Sequence, residues 1–550
     1  MQARAADRKL LIEKEHKRRT PLWADYVQAS TSAEAMGRVV RESGEYPLLS
    51  GGDVNLYSLF VERAAALVRA NGIVGLLTPS GIAADKGASE FFRSITAPPS
   101  NDLFAESRTR LAALYDFENR GNPGGSYFPD VDSRFKFCAF IFGGEHRRFD
   151  AARCAFFLHS LDELNDPDRV LNLSAEDFTR VNPNTGAAPI FRTQRDAEIT
   201  TRIYAANPVL VRHEIDARGR VITEHKAWPV SYATMFHMTS DSDKFITRAE
   251  LEKEGWKPAP LNRWTRPDPL PQRGRVGVGA ARIAEEAVPL YEGKMVQMFD
   301  HRAADVVMNV ENLHRAAQQE AIPDNAKQAF DRFPMSQYCV NTTSLKTEHA
   351  HWVVAFKDVT APTNVRTMIA ALLPTYCAGN TLPLLMSDDP KYTEQTACVL
   401  LANLASFALD YVARQKVQGQ HLNWFIVEQL PVIAPKRFEQ TMGSLAEDSA
   451  QLVGTSTSSV RTDKSAAPAG KRSARAKDNE TIADFIRVEV LALTYTAHDM
   501  APFARDMGYV DAANEVRPPF VWDVEDRAHR MARLDAIFMR LYDLSEDDAS

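Results

Sequence analysis

The apolar positions between residues 46 and 144 change from helical to strand-like spacing and back. Over Asn55–Asn71 they recur every three or four positions, which predicts a helix with one apolar stripe. Ile73–Leu77 then runs apolar without polar interruption, as is typical of a strand covered on both faces of a parallel sheet. A helix over about residues 83–95 and strands over residues 111–117 and 136–142 follow. This order predicts the later portion of a doubly wound α/β sheet.

The first strands of such a sheet have no counterpart in the hydrophobic pattern of this sequence. A doubly wound nucleotide-binding sheet normally leads its first strand into a glycine-rich turn. Residues 1–45 instead form a charged helical pattern, with seven Lys/Arg against three acidic residues among the first 20. We therefore expect a basic helical segment over residues 1–45 and an incomplete Rossmann-like sheet over residues 46–146, with its first half outside this chain.

Beyond residue 146 the pattern is mixed, with short strand-like runs and many prolines, which predicts an α+β recognition domain over residues 147–440. Residues 447–480 are rich in small and basic residues and predict a disordered linker. Residues 481–550 return to a helical pattern. The elements that we predict in these regions are helices over residues 193–206, 313–332, 364–373, 396–414 and 524–541, and strands over residues 351–359 and 423–432.

Composition and charge narrow the class of protein. The net charge of −7 gives no global basic excess, so any nucleic-acid surface must be local. The five cysteines are scattered and contain no Cys-x-x-Cys pair, which favours reduced thiols and predicts no metal site. Ala397–Val412 is interrupted by polar residues and falls short of the roughly 20 apolar residues of a membrane span. Without a cleavable leader, these features predict a cytoplasmic protein with no membrane anchor.

Several blocks, in order along nearly the whole chain, resemble one family. They are Asn55-Leu56-Tyr57-x-x-Phe60 with Gly72–Pro79, Phe117–Arg120, Phe128–Phe137, Phe191–Ile199, Pro289–Met295 with Phe299–Arg302, Thr381–Leu384, and Leu409–Lys416. The first block is similar to the segment that follows the catalytic motif in gamma-class adenine-specific DNA methyltransferases. The set resembles the type IIG-like and large BREX- or DISARM-like methylases of restriction-modification and phage-defence systems.

The resemblance implies S-adenosylmethionine as the cofactor and an adenine flipped out of double-stranded DNA as the target. It implies that Asn55, Tyr57 and Pro79 lie near the cofactor, and that Phe135 or Phe137 stacks on the target base. Other interpretations of these residues stay open. Asn55 and Tyr57 fit a helix N-cap and a core anchor equally well, Pro79 fits a plain turn, and either phenylalanine fits a sheet core.

The family's Asn-Pro-Pro-aromatic motif and its cofactor loop have no counterpart in this sequence. Asn182-Pro183-Asn184 lies too far downstream and lacks the second proline. We therefore assign no catalytic residue. The isolated chain is expected to be inactive unless an upstream-encoded methyltransferase half supplies these parts.

Basic residues of the later blocks are the candidates for DNA contacts. Lysine and arginine supply sequence-independent affinity for phosphates, so Lys294, Arg302, Arg414 and Lys416 are assigned this role. Glu292, Asp300 and His301 lack a nuclease pattern around them, which favours a hydrogen-bond network over a metal site.

The sequence thus predicts the C-terminal portion of an adenine-specific DNA methyltransferase of a restriction or phage-defence system. The alternative is a non-catalytic DNA-specificity subunit that positions a separate methylase or nuclease. Double-stranded DNA is the expected partner in both cases.

Overall fold

The computed structural model describes residues 5–51, 54–97, 108–121, 125–133, 135–215, 221–266, 285–307, 317–345, 351–374, 377–387, 389–417, 419–445 and 480–549. The chain is mixed α/β and divides into two compact units. Unit 1 comprises residues 1–225 and 415–419, and unit 2 comprises residues 226–414 and 420–550. This division differs from the predicted one, which ended the first domain at residue 146 and separated residues 481–550. The predicted linker lies outside the described residues, except for Glu480.

Unit 1 begins with helices and continues as an α/β block. Its helices are α1 (Ala5–Arg18), α2 (Pro21–Glu42), α3 (Leu56–Leu67), α4 (Gly81–Ala84), α5 (Ser89–Thr96), α6 (Ala175–Val181) and α7 (Gln194–Ala206). Its strands are β1 (Ile73–Pro79), β2 (Leu111–Glu118), β3 (Lys136–Gly143), β4 (Ala152–Leu158), β5 (Leu171–Leu173) and β6 (Val211–Ile215), and β7 (Val221–Lys226) crosses the boundary of the unit.

The main sheet of unit 1 has the strand order β1-β3-β2-β4-β5. Strand β3 is antiparallel to both β1 and β2, so β1 and β2 run in the same direction, and β4 lies parallel to β2. The prediction that Ile73–Leu77 is covered on both faces of a parallel sheet is wrong. Among the described residues, strand β1 is an edge strand with an antiparallel neighbour, and Ile73 and Leu77 are exposed.

One face of this sheet carries the core of unit 1. Phe91 and Phe92 of α5 pack against Phe140 of β3, with ring centroids 6.5 and 6.2 Å apart, and Phe92 also meets Phe178 of α6 at 5.8 Å. Residues 138, 140 and 142 of β3 face this core and are buried, whereas residues 137, 139 and 141 are half-buried. Within the described residues, the two faces of the sheet are therefore covered unequally.

Unit 2 contains two larger sheets, with strand orders β10-β11-β12-β15-β9 and β17-β16-β19-β8. Its strands are β8 (Ser231–Ala233), β9 (Phe245–Thr247), β10 (Lys257–Ala259), β11 (Arg263–Arg266), β12 (Glu285–Tyr291), β13 (Ala304–Val307), β14 (Gln318–Ala321), β15 (Tyr338–Asn341), β16 (Trp352–Phe356), β17 (Ala370–Pro374), β18 (Cys377–Ala378) and β19 (Leu384–Met386). Its helices are α8 (Arg248–Lys253), α9 (Asp324–Lys327), α10 (Glu394–Ala405), α11 (Phe407–Arg414), α12 (Trp424–Val427), α13 (Ile482–Thr494), α14 (Ala501–Asp506) and α15 (Val524–Leu541).

The C-terminal helices belong to the core of unit 2. Helix α13 packs on α10, and α15 packs on both α11 and α13. The hydroxyl of Tyr542 donates to the carbonyl of Pro431 and accepts from the amide of Asn403, at 2.8 and 2.7 Å. The His301 ring lies 3.0 Å from a carboxylate oxygen of Asp499, and both side chains are buried. Residues 480–549 are thus held to unit 2 by buried polar contacts as well as by apolar packing.

Three predicted elements of unit 2 are wrong. Strand β17 (Ala370–Pro374) overlaps the end of the helix predicted over residues 364–373, because a short continuous apolar run fits a buried strand as well as a helix. Residues 424–427 form a short helix inside the strand predicted over residues 423–432. The described part of the helix predicted over residues 313–332 contains β14 and the four-residue helix α9.

The most apolar helical stretch is broken. Helices α10 and α11 are bent by 54° relative to each other at Ser406, and most of their residues are buried. Among the described residues, no single helix has the length and composition to cross a membrane, although this bent pair passes that test.

Candidate functional site

The polar side chains of unit 1 gather at one end of its sheet. Strands β1 and β2 run in the same direction, so their carboxyl ends lie at the same edge, together with the first residue of β3. This edge carries Ser80 after β1, Asp116 and Glu118 near the end of β2, and Lys136 at the start of β3. Open α/β sheets bind their ligands at the carboxyl ends of strands.

A buried polar cluster is centred on Asp116. Its carboxylate accepts hydrogen bonds from the hydroxyl of Ser80 and from the ammonium of Lys136, the latter at 3.3 Å. The side chains of Asp116 and Lys136 are almost fully buried, so this is an internal ion pair. Lys136 also lies 4.0 Å from the ring centroid of Phe157, whose N–H donates to Asp116 at 3.4 Å. Phe157 has a φ of 55°, which is a rare and strained value for an aromatic residue. Residues with such strained backbone angles cluster at functional sites.

An aromatic cluster lies beside these charges. Phe137 stacks on Phe117 at 5.4 Å and meets Phe128 edge to face at 4.9 Å, and Tyr127 contacts both Phe117 and Phe137. The loop that carries Tyr127 and Phe128 is fixed by Asn119. The side chain of Asn119 donates to the carbonyl of Phe128 and accepts from its N–H, both at 2.9 Å.

A cavity of about 710 Å³ lies at the beginning of α3. It is lined by residues 47–51, Asn55, Tyr57, Ser58 and residues 85–90. Burial raises the pKa of the half-buried Tyr57 hydroxyl. Gly81 follows Ser80 at the sheet edge, and a Cβ at this position would come within 3.0 Å of the Tyr57 hydroxyl and 2.3 Å of Asp85. The cavity therefore adjoins the carboxyl end of β1 through a close approach that glycine permits.

Glu62 of α3 fixes one rim of this cavity. Its carboxylate is buried and accepts the N–H groups of Leu48 and Leu49, both at 2.9 Å. Burial raises the pKa of Glu62, and these two hydrogen bonds act against that effect.

The residues predicted to bind cofactor and target base lie at this end of unit 1. Asn55 and Tyr57 line the cavity, and Pro79 ends β1 opposite Phe137 of β3. Phe137 is part of the aromatic cluster, whereas Phe135 is 66% exposed. The structure thus gathers the five candidates near one sheet edge, and their roles remain predictions.

Arg302 and Lys416, predicted to contact phosphates, serve inside the protein. Arg302 is fully buried and donates to four main-chain carbonyls, those of Lys327, Ala329, Arg332 and Thr496. Lys416 is buried in unit 1, where its ammonium donates to the carbonyl of Val181 at 2.8 Å and to the side chain of Asn182 at 2.5 Å. Burial lowers the pKa of Lys416 well below its ordinary value. Neither side chain reaches the surface that a phosphate would occupy.

Lys294 and Arg414 are also held by internal partners. Lys294 pairs with Glu292 at 3.1 Å and donates to the carbonyl of Ala317. Arg414 pairs with the buried Asp410 at 2.8 Å and donates to the carbonyl of Pro362. Both side chains stay partly exposed, and their contacts with DNA phosphates remain a prediction.

Sequence reasoning missed Asp116, Lys136 and Asn119 as site residues. Each is a polar residue in or directly beside an apolar strand, at a position where burial is costly unless a partner is present. A polar residue within an apolar strand was therefore the sequence signal that could have indicated this cluster. The identity of the partners depends on the pairing of β2 with β3, which the sequence pattern did not define.

Comparisons with known proteins give no family. No protein-family model matches the chain, and no curated protein matches it. The solved structures that resemble it weakly include the following three. They are the type IIL restriction-modification enzyme MmeI in complex with DNA (10% identity, TM-score 0.35, covering 90% of this chain), a DrdV–DNA complex (9%, 0.29, 68%) and the type IIG restriction endonuclease BpuSI (10%, 0.24, 93%).

The chain corresponds to about half or less of each of these proteins, namely 52%, 37% and 52% of their lengths. Likeness at these TM-scores assigns neither fold nor function. The class that the structure itself defines is a mixed α/β protein with a polar and aromatic site at one sheet edge of unit 1.

Proposed function

We propose that this chain is the C-terminal portion of an adenine-specific DNA methyltransferase of a restriction-modification or phage-defence system. It would act in transfer of a methyl group from S-adenosylmethionine to adenine in double-stranded DNA. The observation that carries the proposal is the cavity lined by Asn55 and Tyr57, which adjoins a polar and an aromatic cluster at the carboxyl ends of β1 and β2.

The cavity suits the proposed cofactor in size and chemistry. Its volume of about 710 Å³ lies within the usual range of small-molecule sites. Its lining combines the Tyr57 hydroxyl and the Asn55 amide with the carboxylates of Asp85 and Glu90, which suit a ligand that carries hydroxyl groups and positive charge. S-adenosylmethionine has both and, when bound, supplies an activated methyl group.

The aromatic residues suit a base that has left the duplex. Such a base is held between aromatic or apolar side chains. Phe137 has one face against Phe117, whereas Phe135 and Phe128 are exposed at the same end of the sheet. Under this proposal Phe135 is the ring that stacks on the base, and the packed cluster around Phe137 supports it.

We assign the positioning of cofactor and target base to residues of this sequence. The amide and carbonyl that polarise the adenine amino group would come from residues outside it. Asn182, the nearest sequence match, cannot take that role. Its side chain is buried, donates to the carbonyl of Ala187 at 2.9 Å and accepts from Lys416.

The test is S-adenosylmethionine binding by the protein purified from its own cells together with whatever copurifies. We expect binding that Tyr57→Ala weakens by about tenfold or more, the cost of roughly 1.4 kcal/mol of lost contact. Tyr26→Ala, on an exposed part of α2, is the matched control and should bind normally. Equal S-adenosylmethionine binding by Tyr57→Ala and wild type would show that this cavity is not the cofactor site.

The alternative function, a non-catalytic DNA-specificity subunit, makes a different prediction. Such a subunit would bind DNA with a steep salt dependence, as the methyltransferase would, but Tyr57→Ala would leave any S-adenosylmethionine binding by its assembly unchanged.

A further inference from the structure

The outer edge of β1 presents unpaired main-chain groups. Within the described part of unit 1, β1 pairs only with β3. The N–H of Ser80 donates to Lys136 and that of Gly144 donates to Gly72, so even-numbered residues from 72 to 80 direct their main-chain groups toward β3. The N–H and C=O groups of Ile73, Gly75 and Leu77 therefore point away from the sheet.

Strand β1 lacks the features that normally protect an edge. Natural edge strands carry charges, prolines or bulges that prevent further pairing. The sequence Ile73–Pro79 contains no charged residue, its pairing with β3 has no bulge, and its proline stands at the last position. This edge is open to another strand.

Apolar side chains surround the same edge. Ile73 and Leu77 are 54% and 69% exposed on the sparsely covered face of the sheet. Helix α3 packs against β1, and its residues Leu56, Phe60 and Leu67 lie on one stripe and are 67–73% exposed.

The two exposed side chains of β1 and the three of the α3 stripe together present an apolar area comparable to part of a protein interface. If a fully exposed side chain of this size offers roughly 150 Å², they present about 500 Å² of apolar surface. A standard interface takes about 800 Å² from each partner. A strand that pairs with β1 and a helix that covers the stripe would account for the remainder.

A second copy of this chain would not cover all of the exposed surface at β1 and α3. Two β1 strands related by a two-fold axis could pair edge to edge. That pairing extends the sheet sideways, so it leaves the exposed sheet face and the stripe on α3 uncovered. The occupant must bring its own strand and its own apolar covering element.

We propose that the β1 edge and the α3 stripe are the docking surface for another polypeptide, which adds a β-strand to β1 and covers Phe60 and Leu77 with an apolar helix. Resting on the proposed function, we identify this polypeptide as the other half of the methyltransferase, which supplies the rest of the S-adenosylmethionine site. The assembled protein has one continuous sheet, and the cavity at Tyr57 is completed beside the new strand.

Gly75 provides an edge-specific test. A Cβ at Gly75 meets nothing within 4 Å, and its N–H points away from β3. Gly75→Pro removes that N–H and obstructs a strand at the edge, whereas Gly75→Ala adds a methyl group and keeps the donor. Tagged wild-type, Gly75→Pro and Gly75→Ala chains are expressed in the native cells and purified. Mass spectrometry of the bound fraction, with cross-linking, identifies what docks at β1.

We expect wild type and Gly75→Ala to retain one stoichiometric polypeptide cross-linked near β1, and Gly75→Pro to lose it by at least tenfold. Phe60→Asp should lose it as well, whereas Val365→Asp, at a 94% exposed position of unit 2, should retain it. Melting temperatures identify any variant that fails to fold, and Phe60→Asp then decides in place of Gly75→Pro.

A wild-type chain that purifies alone, as a monomer or a dimer, overturns the inference, and so does a partner that Gly75→Pro and Phe60→Asp both retain. The proposed function fails separately. A partner that docks at β1 in an assembly unable to bind S-adenosylmethionine supports the surface and contradicts the methyltransferase. If the chain methylates DNA without a partner, that result supports the methyltransferase and contradicts the docking surface.

Discussion

Asp116 is the single residue on which the polar cluster of unit 1 depends. It is 2% exposed and accepts hydrogen bonds from Ser80, Lys136 and the main chain of Phe157. Asp116→Asn would leave the buried ammonium of Lys136 without its counter-charge. We expect a loss of unfolding free energy of about 3 kcal/mol or more, measured by urea denaturation.

The matched control for this change is Asp150→Asn. Asp150 pairs with Arg108 at 2.8 Å, but its side chain is 86% exposed, so the loss should stay below about 1 kcal/mol. Similar losses for the two variants would mean that the Asp116–Lys136 pair is solvated and not internal.

Glu292 gives unit 2 a pH dependence. Burial raises the pKa of Glu292 above 4.5, and Lys294 acts in the opposite direction. The folded protein therefore binds this proton more tightly than the unfolded chain. The contribution of protonated Glu292 to stability is fully present below its pKa in the unfolded chain. This contribution is lost as the pH rises through its pKa in the folded protein.

We expect wild type to lose unfolding free energy relative to Glu292→Gln as the pH rises above about 4.5. Urea denaturation of both proteins across this range measures the difference. Parallel stability profiles would contradict a raised pKa at Glu292.

Buried basic residues show what the sequence could not distinguish at the level of residues. Arg302 and Lys416 occur among other polar residues and were assigned to phosphates, yet each is buried and satisfied by carbonyl or amide oxygens. Their partners lie far along the chain, such as Thr496 for Arg302 and Val181 for Lys416. A charge in a sequence gives no indication of burial when its acceptors are that distant.

Elements with a strong periodic pattern could be predicted at the next scale. Helix α7 lies within the predicted range, because Thr193 and Asp196 form a capping box at its start. Strands β2 and β3 also lie where the apolar runs place them. The direction of β1 relative to its neighbour could not be predicted, since a short apolar run fits an edge strand as well as a central one.

The C-terminal helices are predicted to be essential parts of unit 2. Tyr542 follows α15, and its buried hydroxyl joins Asn403 of α10 to Pro431. Tyr542→Phe leaves the amide of Asn403 unsatisfied and should cost about 1–3 kcal/mol of unfolding free energy. Tyr26→Phe, on an exposed helix, should change it by less than about 0.5 kcal/mol. If both variants are equally stable, α15 contributes no buried polar anchor.

For the whole molecule, the two compact units divide the chain differently from the predicted domains. Residues 147–225 have a mixed pattern and yet belong to unit 1, where β4 extends the sheet next to β2. Residues 415–419 return to unit 1 from far along the chain. Contacts between residues so far apart in sequence leave no local signature, so changes in composition along the chain could not predict this division.

The central claim is that unit 1 contributes one part of a site for methyl transfer to adenine. The most direct measurement is the transfer of tritium from labelled S-adenosylmethionine to adenine in DNA, by the chain alone and by the assembly purified from its own cells. We predict transfer by the assembly, its loss in Tyr57→Ala and in Gly75→Pro, and none by the chain alone. An assembly that binds DNA but leaves adenine unlabelled, or a lone chain that labels it, would contradict a partial methyl-transfer site in unit 1.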